Sequence, residues 1–173
     1  MKKILFSLAI LGLTVVSALA QTTPNSGKFS VGFEAGVPFG ALTADISSVA
    51  LGASLKYDYP IAGAVFITVS AGYTNFIYKS DYRDILKAFG IDKSGEGFVP
   101  VKAGIKYYVS GGFYGEAQGG VVFSTESGGG NAIAYAPGIG YTWVDSVDIG
   151  ARYEGWSHNG TINQVALRLA YRF

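Results

Sequence analysis

In eight segments of this chain every charged side chain falls on an even-numbered position. The segments span residues 28–37, 49–59, 64–75, 98–109, 113–123, 132–143, 147–156 and 164–173. Their charges are Lys28, Glu34, Lys56, Asp58, Lys102, Lys106, Glu116, Asp148, Arg152, Glu154, Arg168 and Arg172. Side chains alternate between the two faces of a β-strand, so this parity gathers all the charge on one face. The odd face is apolar: Phe29, Val31, Phe33, Ala35 and Val37 open it, and Val65, Ile67, Val69, Ala71 and Tyr73 continue it, with Asn75 as its one side-chain amide. Each segment is 10 to 12 residues long, matching the roughly 9–11 that a tilted strand needs to cross a bilayer.

Alternation alone does not say which face meets water; side-chain size does. The even face is rich in small residues, among them Gly32, Gly36, Gly52, Gly72, Gly104, Gly120, Ala134, Ala136, Gly138, Gly140 and Gly150. Such residues suit the interior of a barrel of about eight strands, which side chains only just fill. The rings and branched aliphatics of the odd face are too bulky to share that space, so they face outward, where lipid tolerates them. Composition agrees, since only 14% of the residues are charged and mean hydropathy is +0.30, against about 25% charge in typical soluble domains. Thirteen Lys+Arg against 12 Asp+Glu lack the basic excess of a nucleic-acid binder, so no nucleic-acid partner is expected.

The connections alternate in length. Residues 60–63, 110–112 and 144–146 make short links, whereas 38–48, 76–97, 124–131 and 157–163 are longer, the pattern of brief periplasmic turns and longer external loops. Aromatic residues of the odd face mark two levels. Phe29, Tyr57, Tyr59, Tyr107, Phe113, Trp143, Tyr171 and Phe173 lie near the short links, and Phe39, Tyr73, Phe123, Tyr135 and Tyr153 near the long ones. Amphipathic rings favour headgroup depth. The expected fold is all-β: an eight-stranded antiparallel up-and-down transmembrane β-barrel.

The N-terminus reads as an address. Lys2 and Lys3 precede an apolar run over 4–16, and Ala18-Leu19-Ala20 is a small-x-small cleavage signal. Residues 1–20 are therefore expected to be a cleaved secretory signal peptide and 21–173 the barrel domain. The chain has no Cys, which excludes a lipoprotein anchor and a disulfide framework.

The ending Gln164-Val-Ala-Leu-Arg-Leu-Ala-Tyr-Arg-Phe173, together with the leader, resembles the small outer-membrane β-barrel proteins of Gram-negative bacteria, the OmpA-like transmembrane barrels, here without a periplasmic domain. The resemblance implies an integral, multi-pass place in the bacterial outer membrane, with outer-membrane lipids as surroundings. It also implies that Tyr171 and Phe173 form the C-terminal signal read by the barrel-assembly machinery. A larger outer-membrane protein complex is a further candidate partner.

Inside the barrel, Glu34, Lys56, Lys102, Lys106, Glu116, Gln118, Arg152, Glu154 and Arg168 are expected to form a polar lumen network, joined by Asp58, Asp148 and Arg172, because buried charge persists only when paired. The second long loop carries Tyr82, Ile85, Leu86 and Phe89 at i, i+3, i+4, i+7. That spacing predicts a short amphipathic helix capped by Asp81 and stopped at Gly90, and its stripe is a candidate partner-docking loop. The run Arg152-Tyr153-Glu154-Gly155-Trp156-Ser157-His158-Asn159 resembles the Arg-Tyr-x-His-x-Ser-Asn region of outer-membrane lipid A deacylases. Gly155 stands where their catalytic His would be, and Ser157 has no base in register, since His158 follows it directly. No Cys or His cluster points to a metal, and Gly128-Gly129-Gly130 lacks the context of a phosphate loop, so no cofactor is expected. The leading expectation is a non-enzymatic structural or accessory subunit acting through its external loops. A narrow small-solute pore and a lipid A-modifying enzyme are the alternatives.

Overall fold

A computed structural model describes residues 27–173 apart from 41, 42, 127, 145 and 159; the expected signal peptide over 1–20 lies outside the described residues. Eight strands follow one another in chain order: β1 (Lys28–Phe39), β2 (Ser47–Ala62), β3 (Val65–Tyr78), β4 (Gly95–Ser110), β5 (Phe113–Ser124), β6 (Asn131–Trp143), β7 (Val147–Ser157) and β8 (Thr161–Arg172). Each pairs antiparallel with its neighbours, and β1 closes on β8 from Ser30↔Arg172 to Phe39↔Asn163. The seam is held to its last residue: the Phe29 amide donates to the Phe173 carbonyl at 3.2 Å and the Phe173 amide to the Phe29 carbonyl at 2.9 Å. Closure leaves no sheet edge, which a spanning β-structure requires because hydrocarbon offers its backbone no partner.

The parity holds around the whole circumference. Even positions turn inward, where Lys106, Thr68, Asp58, Asp148, Glu154 and Trp156 are buried. Odd positions turn outward, where Phe33, Ile105 and Leu167 each keep more than half of their surface exposed. A continuous belt of exposed aliphatic and aromatic side chains this large has no place in water. The chain is an integral membrane barrel.

The narrow interior also explains the inward glycines. Tyr114 lies across Gly140 to reach Asp148, and a Cβ on Gly140 would collide with its ring. The short links over residues 63–64 and 111–112 begin with Gly63 at φ +46° and Gly111 at φ +55°, left-handed conformations that glycine adopts without a Cβ penalty. The third short link instead holds Val144 at φ +50°, a conformation disfavoured for a β-branched residue.

Most strands run longer than the sequence pattern alone indicates. β3 continues through Phe76 to Tyr78 and β4 begins at Gly95, so part of the expected 76–97 loop is a hairpin extension standing on the barrel. Among the described residues, two helices lie in the loops. Helix α1 (Thr43–Ile46) was not expected, whereas helix α2 (Ser80–Ala88) falls where the apolar spacing places it. Gly90 follows α2 at φ +75°, as a helix stop does. Asp81 is not the cap: Lys79 holds that position without a side-chain cap bond, and Asp81 sits in the first turn, accepting from the Ser80 hydroxyl at 3.1 Å. A carboxylate there still favours the helix through its dipole.

Candidate functional site

The lumen has two storeys, one of ion pairs and one of aromatic rings. Nearest the short turns, Lys106 is fully buried and donates to Asp58 at 2.8 Å and Asp148 at 3.4 Å. Asp148 also accepts from the Tyr114 hydroxyl at 2.7 Å and the Thr142 hydroxyl at 3.1 Å. Lys56 donates to Glu116 at 2.8 Å, and Arg172 approaches Asp58 at 3.8 Å. At mid-height Arg152 bridges Glu34 at 2.6 Å and Glu154 at 2.7 Å, and Lys102 reaches Glu154 from another strand at 2.7 Å. Arg168 donates to Ser54 and Ser30 at 3.0 and 3.1 Å and lies 3.6 Å from Glu34. Gln118 donates to Thr68 at 3.1 Å.

All nine network residues named from sequence thus point into one lumen, and each is tied to a partner from another strand. Six cations (Lys56, Lys102, Lys106, Arg152, Arg168, Arg172) meet five carboxylates (Glu34, Asp58, Glu116, Asp148, Glu154). The free space left among them is a cavity of about 40 Å³, room for about one to three waters. This arrangement fills the barrel.

Toward the loops the chemistry changes. Trp156, Phe76 and Phe98 pack edge to face, with centroids 5.3 Å apart for Phe76–Trp156, 5.1 Å for Phe98–Trp156 and 5.6 Å for Phe76–Phe98. Ala50, Val122 and Ala134 complete the cluster. The Trp156 indole donates to Glu154 at 2.9 Å and so joins the two storeys. Sequence reasoning missed this plug. The signal was present in the even numbers of Phe76, Phe98 and Trp156, which place three large rings on the inward face at the same end of their strands.

Above the plug lies a larger cavity, of about 280 Å³, with residues of α1, α2 and the last loop on its rim. The candidate docking stripe divides here. Tyr82 faces this cavity and packs on Tyr78 at 5.1 Å, and Leu86 is half-buried, while Ile85 and Phe89 stand exposed. Ser157 and His158 are both exposed, and among the described residues no hydrogen bond joins them. At the opposite end Tyr171 points outward and stacks with Phe173, which stacks in turn on Phe29.

An apolar belt around a closed antiparallel barrel with a polar, ion-paired interior defines a transmembrane β-barrel. In its particulars the fold is that of the small eight-stranded outer-membrane barrels. No family model matches the chain, and no curated protein matches its sequence. Solved structures do match its shape. Ail, the attachment invasion locus protein of Yersinia pestis, aligns with a TM-score of 0.59 at 17% identity over 87% of this chain and 100% of that one. Ail in complex with the heparin analogue sucrose octasulfate aligns at 0.54, with 18% identity over 85% and 97%. The outer membrane enzyme PagL aligns at 0.58, with 13% identity over 82% and 97%. One scaffold therefore serves both an enzyme and a protein named for attachment, so the activity of this chain must be argued from its own residues.

Proposed function

We propose that the protein is a non-enzymatic structural or accessory component of the bacterial outer membrane that acts through its loop end. The observation that carries this reading is the filled lumen: ion pairs below leave a cavity of only about 40 Å³ and buried aromatic rings occupy the space above, which disfavours the small-solute pore. The loops carry Ile85 on α2, Phe89 at its C-terminal cap and Ile91 just after it, all exposed, a patch suited to a partner protein in a larger outer-membrane complex. The sulfated ligand of Ail does not carry over. The loop end here holds Lys79, Arg83, Lys87 and Lys93 against Asp45, Asp81, Asp84, Asp92, Glu96 and Glu126, the wrong balance for a polyanion. Tyr171 and Phe173 supply the terminal aromatic pattern for the barrel-assembly machinery, and Phe173 completes the β1–β8 seam.

Affinity isolation in mild detergent tests this reading. The wild type should retain a stable partner, and the double substitution Ile85→Ser and Phe89→Ser should release it without changing barrel assembly. Steady ion conductance in planar bilayers would favour the pore instead. A change in lipid A mass on deleting the gene would favour an enzyme.

A further inference from the structure

The cavity above the plug is lined by aromatic rings on one side and by aliphatic and hydroxyl side chains on the other, with the exposed His158 at its rim. Phe76, Phe98 and Trp156 form its floor, Tyr78 and Tyr82 a wall, and Glu96 supplies its one carboxylate. The floor is rigid, because the three rings interlock edge to face and the indole is pinned to Glu154 from below. The wall is a T-shaped Tyr78–Tyr82 pair that ties β3 to α2. Aromatic faces carry the negative lobe of the ring quadrupole and attract cations, most strongly where water is excluded.

Glu96 adds a full negative charge. It accepts hydrogen bonds from the Tyr78 hydroxyl at 3.4 Å and the Ser124 hydroxyl at 3.3 Å. Every carboxylate in the network below has a Lys or Arg within ion-pair distance, and Glu126 in the neighbouring loop has Lys93. Glu96 has none among the described residues, and no Lys or Arg lines the cavity. An anionic ligand would meet this charge uncompensated, whereas a cation would neutralise it.

We propose that this cavity binds a small organic cation carrying an ammonium or quaternary ammonium group, with Glu96 as its counter-ion, Tyr78 and Tyr82 beside it and the largely buried Phe76–Phe98–Trp156 cluster as its floor. The site is preformed and its volume suits a compact ligand. It stands independently of the accessory role argued above, which concerns the outer surface of α2.

The test uses the full-length protein in lipid nanodiscs with Trp143→Phe, which leaves Trp156 as the sole indole. Choline and benzyltrimethylammonium are titrated against Trp156 emission, with sodium chloride as the ionic-strength control. The neutral carbon analogue of choline, 3,3-dimethylbutan-1-ol, is titrated alongside. A saturable response to the cations is expected, with the neutral analogue at least about tenfold weaker. Glu96→Gln should weaken cation binding about tenfold and leave the neutral analogue unchanged. Equal binding of choline and its neutral analogue would overturn the proposal in favour of a purely apolar pocket. So would the lack of a saturable response to either cation, or undiminished binding by a folded Glu96→Gln protein. The ratio of cation to neutral analogue is read on the Glu96-bearing protein, so it decides the matter even if Glu96→Gln fails to fold.

Discussion

The two storeys of the lumen are built on the same alternating strands, yet opposite chemistries fill them. Near the turns the interior is charged, and Lys106 alone engages two aspartates while lying 4.1 Å from the centroid of the Tyr114 ring. Near the loops it is aromatic, and Glu96 brings the one carboxylate to the cavity above it. Precision in a narrow barrel lies where its interior is charged. Ion pairs in a water-poor interior hold only with their partners in place, so that storey fixes the register and closure of the strands. Rings pack with less directional demand and leave room above them, so that storey is free to carry a site.

Lys106→Met should give the largest effect. It leaves Asp58 and Asp148 facing each other without their shared cation, at an expected cost of about 3–5 kcal/mol, measured by urea unfolding in lipid vesicles. Unchanged stability with a newly opened conductance would mean that the ion pairs gate the barrel rather than build it. Phe76→Ala comes next, at about 3 kcal/mol from lost apolar contact and the void left behind. Should it cost more than Lys106→Met, the ranking of the two storeys reverses.

The turn end offers a smaller effect of opposite sign. Val144 sits at φ +50° and is exposed, so Val144→Asn should stabilise the barrel by about 0.5–1 kcal/mol, since asparagine tolerates that backbone. A destabilised variant would show that the link is not strained. The smallest effect is expected at the loop end. Lys93 donates to Glu126 at 2.5 Å, and this hydrogen bond holds its amine above the ordinary lysine pKa. A lysine pKa raised by folding contributes in full below the unfolded value and is lost as pH climbs through the folded one. The tie between the second and third long loops should therefore persist at neutral pH and loosen only in strongly alkaline solution or high salt. Loop-selective proteolysis of wild type and Lys93→Gln checks this: the two should differ at neutral pH and converge above the ordinary lysine range.

Much of this architecture was legible residue by residue. Lys56, Lys102, Lys106, Arg152 and Arg168 declare their inward direction by parity, because alternation is a local property of extended backbone. The aromatic plug was not legible in the same way. Phe76 follows Asn75 and precedes a charged stretch, so the pattern read as the start of a loop although the strand continues to Tyr78. Glu96 was hidden for the same reason, lying in what read as loop while β4 already begins at Gly95. The stripe on α2 was found by spacing, but spacing gives a helix face and not its neighbours. That Tyr82 turns to the cavity while Phe89 stays exposed depends on how the helix rests on the β3–β4 extension.

Residue order alone settles sidedness: which side chains meet lipid, which meet the lumen, and roughly where the three short turns fall. Two-residue periodicity and residue size are enough for that. Only the closed barrel decided partnership. Arg152 meets Glu34 from 118 residues away, and Phe76 and Phe98 meet Trp156, because closure and strand stagger set which inward positions share a level. No local rule of alternation carries that information, since it fixes a direction for each side chain but not the height at which it meets another.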